Sequence, residues 1–370
     1  MKKTVFQDRL SILRQGLTSG SPDTLWIVQP ENRRYLSGFK ASDTQLNESS
    51  GSLLINKKRA ILITDSRYTI EAQEQARDFE IITLKKDLDT ELCRLLGQIK
   101  TRVLGFEGDH LTWEQHRRFS KQIKKLKSPV RMTPMDGSIG RMREVKDREE
   151  LKSMKAAADI MSAVLDEVLH GLRPGRTEIE VAREIEELAR DAGAEGMAFP
   201  PIVASGPNAA LPHATPSQRR IGPRDPIIFD IGARLNGYCS DMTRTVFLEP
   251  PVPMFKKIYG IVRRAQLAAL EYVRPGEKST KADSIARDII RQAGFGDYFG
   301  HSLGHSVGLA THETPRLSPK NPVTLEEGMV VTVEPGIYIP GKGGVRLEEM
   351  VVIERHGPRI LTENDNYYDF

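Results

Sequence analysis

The sequence predicts a chain of two domains: a smaller α/β domain over residues 1–140, then an α+β domain with internal pseudo-twofold symmetry over residues 141–370. Three observations lead there. A chain of 370 residues is longer than one hydrophobic core usually supports. Its first 140 residues alternate strand-like with helix-like segments. Its remainder carries a repeat, in which Arg173-Pro174-Gly175 returns as Arg274-Pro275-Gly276 and Ala192-Gly193 as Ala293-Gly294, both 101 residues later.

In the first domain the apolar runs "LWIV" (25–28), "GSLLIN" (51–56), "AILIT" (60–64), "EIITL" (80–84) and "VLGFEG" (103–108) have strand length, and the stretches 68–77 and 112–125 have helical period. The basic run "KQIKKLKSP" (121–128) reads as the solvated face of a helix. With its Pro and Gly, "SPVRMTPMDGSIGRMR" (128–143) reads as a loop-like linker. Beyond it, residues 147–172 are rich in good helix formers and predict one long helix. Each copy of the repeat then places a helix between its markers, the first opening with a Thr177 to Glu180 capping box. A strand pair carrying two acids follows each copy.

In the first copy that pair is "FDIGARLNGYCSDMTRTVF" (229–247). Asn236-Gly237 suits a two-residue type I′ turn, so Leu235 should pair with Tyr238, Gly232 with Asp241 and Asp230 with Thr243. Both aspartates then lie on one face as diagonal neighbours, roughly 7–8 Å apart at the backbone. Two anions that close are costly in a half-buried ribbon unless a cation lies between them, although a solvated edge hairpin would carry them without one.

In the second copy Glu334 closes the apolar part of "MVVTVEPGIYI" (329–339), and "GGVRLEEMVVIE" (343–354) supplies Glu348 or Glu349. Arg346 and Glu348 share a face and Glu349 takes the other; periodicity does not say which glutamate points inward. "GHSLGHSVGLATHETP" (300–315) holds His301, His305 and His312, three of the eight histidines, in a nearly uncharged loop whose glycines allow close backbone approach. A pseudo-symmetric domain would bring both strand pairs to its centre, where four carboxylates and at least one imidazole converge. Such an oxygen-rich set suits two divalent cations, manganese, cobalt, zinc or iron, rather than the thiolate set of structural zinc.

Composition narrows the partners. The formal charge is +4, and no stripe of Lys/Arg is interleaved with aromatics, so no nucleic-acid partner is expected. Cys93 and Cys239 are the only cysteines, which fits a reducing compartment. No apolar run of signal-peptide or membrane-spanning length follows Met1-Lys2-Lys3 or occurs later, so a cytoplasmic protein without a membrane partner is expected.

Four of these stretches, "FDIGARLNGYCSDMTRT", "GHSLGHSVGLATHETP", "VEPGIY" and "VRLEE", in this order and spacing, resemble the pita-bread metallopeptidases, in particular Xaa-Pro aminopeptidase (aminopeptidase P) and Xaa-Pro dipeptidase (prolidase). "QPENRRYLSGF" (29–39) and "ITDSRYTIEAQEQA" (63–76) resemble that family's creatinase-like N-terminal domain, and "REVKDREELKSMKAAADI" (143–160) the entry to its catalytic domain. The resemblance implies that Asp230, Asp241, His305, Glu334 and Glu348 bind two divalent metal ions, manganese foremost, with Asp241 and Glu348 bridging. It implies that His213, in "SGPNAALPHATPS" (205–217), and His301 and His312 line the substrate side, that Arg346 stands beside the last ligand, and that Cys239 is no ligand. It departs from the family at "KASDTQLNESSGSLL" (40–54), which is more polar than the Gly-rich stretch expected there.

The expected substrate is a peptide with proline at its second position, and the expected assembly a homodimer. A bond to proline is a tertiary amide with no N–H to grip, a poor match for general peptidases. The expected nucleophile is a metal-bridging hydroxide, with Glu334 taking and returning the proton and the histidines stabilising the oxyanion. The expected enzyme is a metallo-exopeptidase, an Xaa-Pro aminopeptidase; the alternatives are an Xaa-Pro dipeptidase that stops at the proline carboxylate and, remotely, a non-catalytic peptide-binding scaffold.

Overall fold

The structure, a computed structural model, describes residues 3–17, 22–43, 45, 48–135 and 137–370. Met1 and Lys2, three residues of the polar 40–54 stretch and one of the 128–143 passage therefore lie outside the described residues. The chain forms two compact units, Met1–Met142 and Arg143–Phe370.

The first unit is built on a six-stranded sheet of β1 (Thr24–Ile27), β2 (Ser52–Asn56), β3 (Ala60–Thr64), β4 (Glu80–Thr83), β5 (Val103–Phe106) and β6 (Arg131–Pro134), in the order β4-β3-β2-β1-β5-β6. Only β2 runs against its neighbours. Helices α1 (Val5–Gln15), α2 (Pro30–Ser37), α3 (Thr69–Gln75), α4 (Leu88–Gln98) and α5 (Trp113–Ile123) accompany it. Side-chain caps start three of them: Asp87 accepts the amide of Thr90, and Thr4 and Thr112 form capping boxes with Gln7 and Gln115. Trp26, Leu54, Ile61, Leu92, Leu104 and Phe119 pack into the core between α4, α5 and one face of the sheet.

Two readings need correction here. The basic run 121–128 is helical only to Ile123 and continues in turns. The passage 128–143, expected as a linker, instead contains β6 and most of α6 (Ser138–Glu144). β6 is an edge strand, which tolerates Pro134 because its outer side needs no ladder bond, and this hid it from a reading keyed to Pro and Gly.

The second unit repeats one motif. Helix α7 (Arg148–Gly171), capped by Asp147 with Glu150, packs with α8 (Glu178–Asp191) over strands from β8 to β12, and α9 (Pro253–Tyr272) packs with α10 (Ser279–Gln292) over the second set. α8 and α10 begin and end 101 residues apart. So do the left-handed glycines that bracket them, Gly175 (φ 96°) with Gly276 (φ 89°) and Gly193 (φ 94°) with Gly294 (φ 87°). The backbone bonds agree, since Gly175 N–H reaches Ile221 O and Gly276 N–H reaches Leu325 O. The duplication is therefore structural.

The strands of the first copy are β7 (Gly196–Met197), β8 (Ile202–Ser205), β9 (Ile227–Ile231), β10 (Ala233–Leu235), β11 (Tyr238–Cys239) and β12 (Met242–Val246), in two sheets ordered β11-β10-β7 and β12-β9-β8. The second copy has β13 (Gly304–Ser306), β14 (Glu313–Leu317), β15 (Val330–Val333), β16 (Gly336–Ile339), β17 (Gly343–Arg346), β18 (Glu349–Glu354) and β19 (Gly357–Ile360). Five of these form a sheet ordered β14-β13-β15-β18-β19, and β16 and β17 form a separate hairpin.

Candidate metal centre

The first acidic pair sits where the turn chemistry puts it. Asn236 (φ 50°) and Gly237 (φ 80°) both take left-handed geometry, Leu235 pairs with Tyr238, and Thr243 pairs with Asp230. Gly232 is required for close approach: a Cβ there would fall 2.1 Å from the carbonyl oxygen of Ser240. The second pair arises differently. The run 343–354 is not one strand but breaks at Leu347-Glu348, because Glu348 leaves the β15 ladder and donates its N–H to Thr243 O in β12. Thr245 likewise donates its hydroxyl to Arg346 O and accepts from Arg346 N, so the two copies are stitched together beside the site.

Both glutamates of the Glu348-Glu349 pair are buried, each at 2% exposure, so neither is the solvated acid that is usual at such a position. Glu349 faces away and is held by Arg244, Thr362 and Tyr367. Glu348 faces Asp230 and Asp241; one ligand oxygen of each of the three lies within 4.8 Å of the others. His305 Nε2 lies 3.7 Å from Asp241 Oδ2 and 3.4 Å from Glu334 Oε1, so all five expected ligands converge.

The histidine run is only partly a loop. Its middle is β13, paired with β14 and β15, and Gly304 is there because a Cβ would fall 2.0 Å from Thr332 O. His305 Nδ1 faces the carbonyl of Ser306 at 3.1 Å and must therefore donate, which leaves the Nε2 lone pair aimed at the carboxylates. His301 faces elsewhere. Arg346 donates to Tyr338 Oη at 3.0 Å, and the Tyr338 hydroxyl lies 2.8 Å from His301 Nε2. His213, His301 and His312 line a cleft of about 920 Å3 whose wall includes the five converging residues and Arg346.

Without a cation this arrangement is electrostatically expensive. Burial, then repulsion by the neighbouring carboxylates, drives Asp241 and Glu348 well above the ordinary range. Burial raises Glu334 to about 8 and also raises Asp230, each opposed by Arg346. Burial lowers His305 to about 3 and His301 to about 4, so both imidazoles are neutral. Arg346 Nη2 occupies Asp230 Oδ2 at 2.6 Å, while Asp230 Oδ1 is buried with no hydrogen-bond partner. A lone pair and several carboxylate oxygens pointed at one another, one of them orphaned, form a donor set that fits divalent cations.

Several residues that shape the site escaped the sequence reading. Thr243 donates to Glu348 Oε2 at 2.7 Å and Thr332 to Glu334 Oε1 at 3.1 Å. Tyr338 was hidden in an apolar alternation. Behind the histidines, Glu313 accepts the Ala310 N–H and pairs with buried Arg143 and Lys146, and Lys146 Nζ donates to Ser306 Oγ at 2.8 Å. Burial works against the Glu313 charge, but Lys146 and Arg143 hold it below the ordinary range. In sequence these charges look like solvated ones. Cys239 is buried, with Sγ near Leu309 O and the Thr311 hydroxyl.

Comparison with known proteins gives the family. Residues 152–355 match metallopeptidase family M24 and residues 9–145 the creatinase/prolidase N-terminal domain. The chain is 36% identical over 361 residues to the Xaa-Pro dipeptidase of Pyrococcus furiosus, covering 97% of this chain and 99% of the relative. Among solved structures it resembles an Xaa-Pro dipeptidase from Bacillus anthracis (TM-score 0.91, 37% identity, 97% and 98% of the two chains). It also resembles an X-Pro aminopeptidase from Thermotoga maritima (TM-score 0.86, 36% identity, 97% and 99%). The chain belongs to metallopeptidase family M24, with a pita-bread domain behind a creatinase-type N-terminal domain.

Proposed function

We propose that this chain is a dinuclear metal-dependent exopeptidase that hydrolyses the Xaa-Pro bond, and that it acts as a dipeptidase rather than as the aminopeptidase expected from its sequence. The convergence of Asp230, Asp241, His305, Glu334 and Glu348 on one wall of a histidine-lined cleft carries the peptidase reading. The names of its relatives favour the dipeptidase. So does Arg316, which pairs across β13 and β14 with His305 and lines the same cleft, where a guanidinium can receive the free carboxylate of a dipeptide.

The five residues would hold two cations, manganese first. When bound, the pair supplies an acidified water and Lewis-acid polarisation of the scissile carbonyl. The chain does the rest. Glu334, oriented by Thr332, takes the proton of the attacking water and returns it to the proline nitrogen, which has no hydrogen of its own. His213 and His312 donate to the developing oxyanion; losing one such donor typically costs about 100- to 1000-fold in rate. Arg346 fixes Asp230 and, through Tyr338, His301.

The test is a side-by-side measurement of initial rates of manganese-loaded protein on an Xaa-Pro dipeptide and an Xaa-Pro-Xaa tripeptide. Faster dipeptide cleavage is expected. Faster tripeptide cleavage restores the aminopeptidase, and cleavage of neither leaves the non-catalytic scaffold.

A further inference from the structure

Among the described residues, seven buried side-chain polar atoms have no hydrogen-bond partner. Asp230 Oδ1 belongs to the metal centre. Three are Nε atoms of Arg33, Arg143 and Arg244, whose guanidinium groups bond through their other nitrogens. The remaining three, Trp26 Nε1, Ser52 Oγ and His110 Nδ1, all belong to residues lining one cavity of about 280 Å3 within the first unit. A buried polar atom with no partner gives up its hydration without recompense, so three around one cavity call for an occupant.

The position is where an open α/β sheet takes ligands. Val28 follows β1 and His110 and Leu111 follow β5, so the cavity lies at the carboxyl ends of two parallel neighbours. From there the chain passes from β1 to β2 on one side and from β5 to β6 on the other, a point where the connections diverge. Ser52 continues the β1–β2 register opposite Val28, which sets its hydroxyl beside the same opening.

The lining specifies the chemistry. The indole N–H can only donate, and the Ser52 hydroxyl can donate too, so the inner end takes an acceptor. Val28, Leu88 and Leu111 give an apolar wall. Of the carboxylates in the remaining lining, Asp89 is paired with Arg118 and Asp43 with buried Arg33, while Glu31 is half-buried at the cavity wall. A cationic group is therefore favoured beside Glu31. We propose that this cavity is a second ligand site that binds a free apolar α-amino acid, its carboxylate on Trp26 Nε1 and Ser52 Oγ and its ammonium toward Glu31. The site lies wholly within residues 1–142, so it stands or falls separately from the peptidase reading.

The protein has two tryptophans, Trp26, buried against the cavity, and Trp113, 76% exposed. In full-length Trp113→Phe, Trp26 is the only reporter. L-leucine should produce a saturable shift in its emission. The same titration should be about tenfold weaker in added Glu31→Gln or Ser52→Ala, the latter removing only an unpartnered hydroxyl and so leaving the fold intact. The shift should persist in added Asp241→Asn and be absent with N-acetyl-leucine, which lacks the ammonium, and with isopentylamine, which lacks the carboxylate. No shift up to the solubility limit of leucine, a cavity holding water only, overturns the proposal. So does a shift lost in Asp241→Asn, which places the ligand in the catalytic cleft, or one produced equally by isopentylamine.

Discussion

Arg346 organises the charge of the candidate metal centre. Its guanidinium reaches four ways at once, to Asp230 Oδ2, the Thr243 hydroxyl, the Tyr338 hydroxyl and the Pro212 carbonyl, while carrying a positive charge against Asp230. A lysine would keep the charge as a point and lose the planar fork. Arg346→Lys should therefore fold yet bind manganese about 10- to 100-fold more weakly, the usual cost of losing a partner that orients a ligand. Metal content after dialysis against graded free manganese reads this directly; an unchanged titration would refute the anchoring role. At this scale the sequence was legible only in part. Periodicity placed Glu348 and Glu349 on opposite faces but could not choose between them, because both faces are buried and Glu349 is neutralised by Arg244, which is distant in sequence.

Elements were legible where a local rule fixed a nonlocal result. One Asn-Gly dipeptide set the register of the whole β9–β12 ribbon, and with it the two aspartates, because a two-residue turn leaves no freedom to slip. Where pairing is decided by a distant strand the sequence was silent, as with β6 and with the break between β17 and β18. The ribbon yields a sharp prediction. An alanine Cβ at 232 meets Ser240 O at 2.1 Å and Phe199 Cε1 at 2.7 Å, and Ser240 immediately precedes Asp241. Gly232→Ala should cost roughly 1–3 kcal/mol by overpacking and displace Asp241, lowering both the melting temperature and metal affinity. Gly237→Asn at the turn, where φ is 80° and asparagine is tolerated, should change the melting temperature far less. Equal effects from the two substitutions, measured by thermal unfolding, would mean that close approach at Gly232 is unimportant.

For the whole molecule, the duplication has an electrostatic consequence. Stitching two copies together buries carboxylates from both at one centre, so the fold carries a charge problem that a bound cation would resolve. Asp241, Glu348 and Glu334 all have raised folded-state values, Glu334 moving from 4.5 to about 8. Well below 4.5 these groups are protonated whether folded or not, and their contribution to stability is fully present. Between 4.5 and about 8 the unfolded chain has released its protons while the metal-free fold retains them, so the folded state binds more protons and stability falls as pH rises. The slope is up to ~1.4 kcal/mol per pH unit for each retained proton. Bound metal takes the place of those protons, and binding releases them, so metal affinity rises over the same range. Thermal unfolding of EDTA-treated and manganese-loaded protein across this window should therefore diverge, the stripped protein melting lower at each step upward and the loaded protein holding. Stripped protein that gains stability toward neutral pH would mean that the carboxylates are not held together by the fold, and the burial that defines the centre would have to be abandoned.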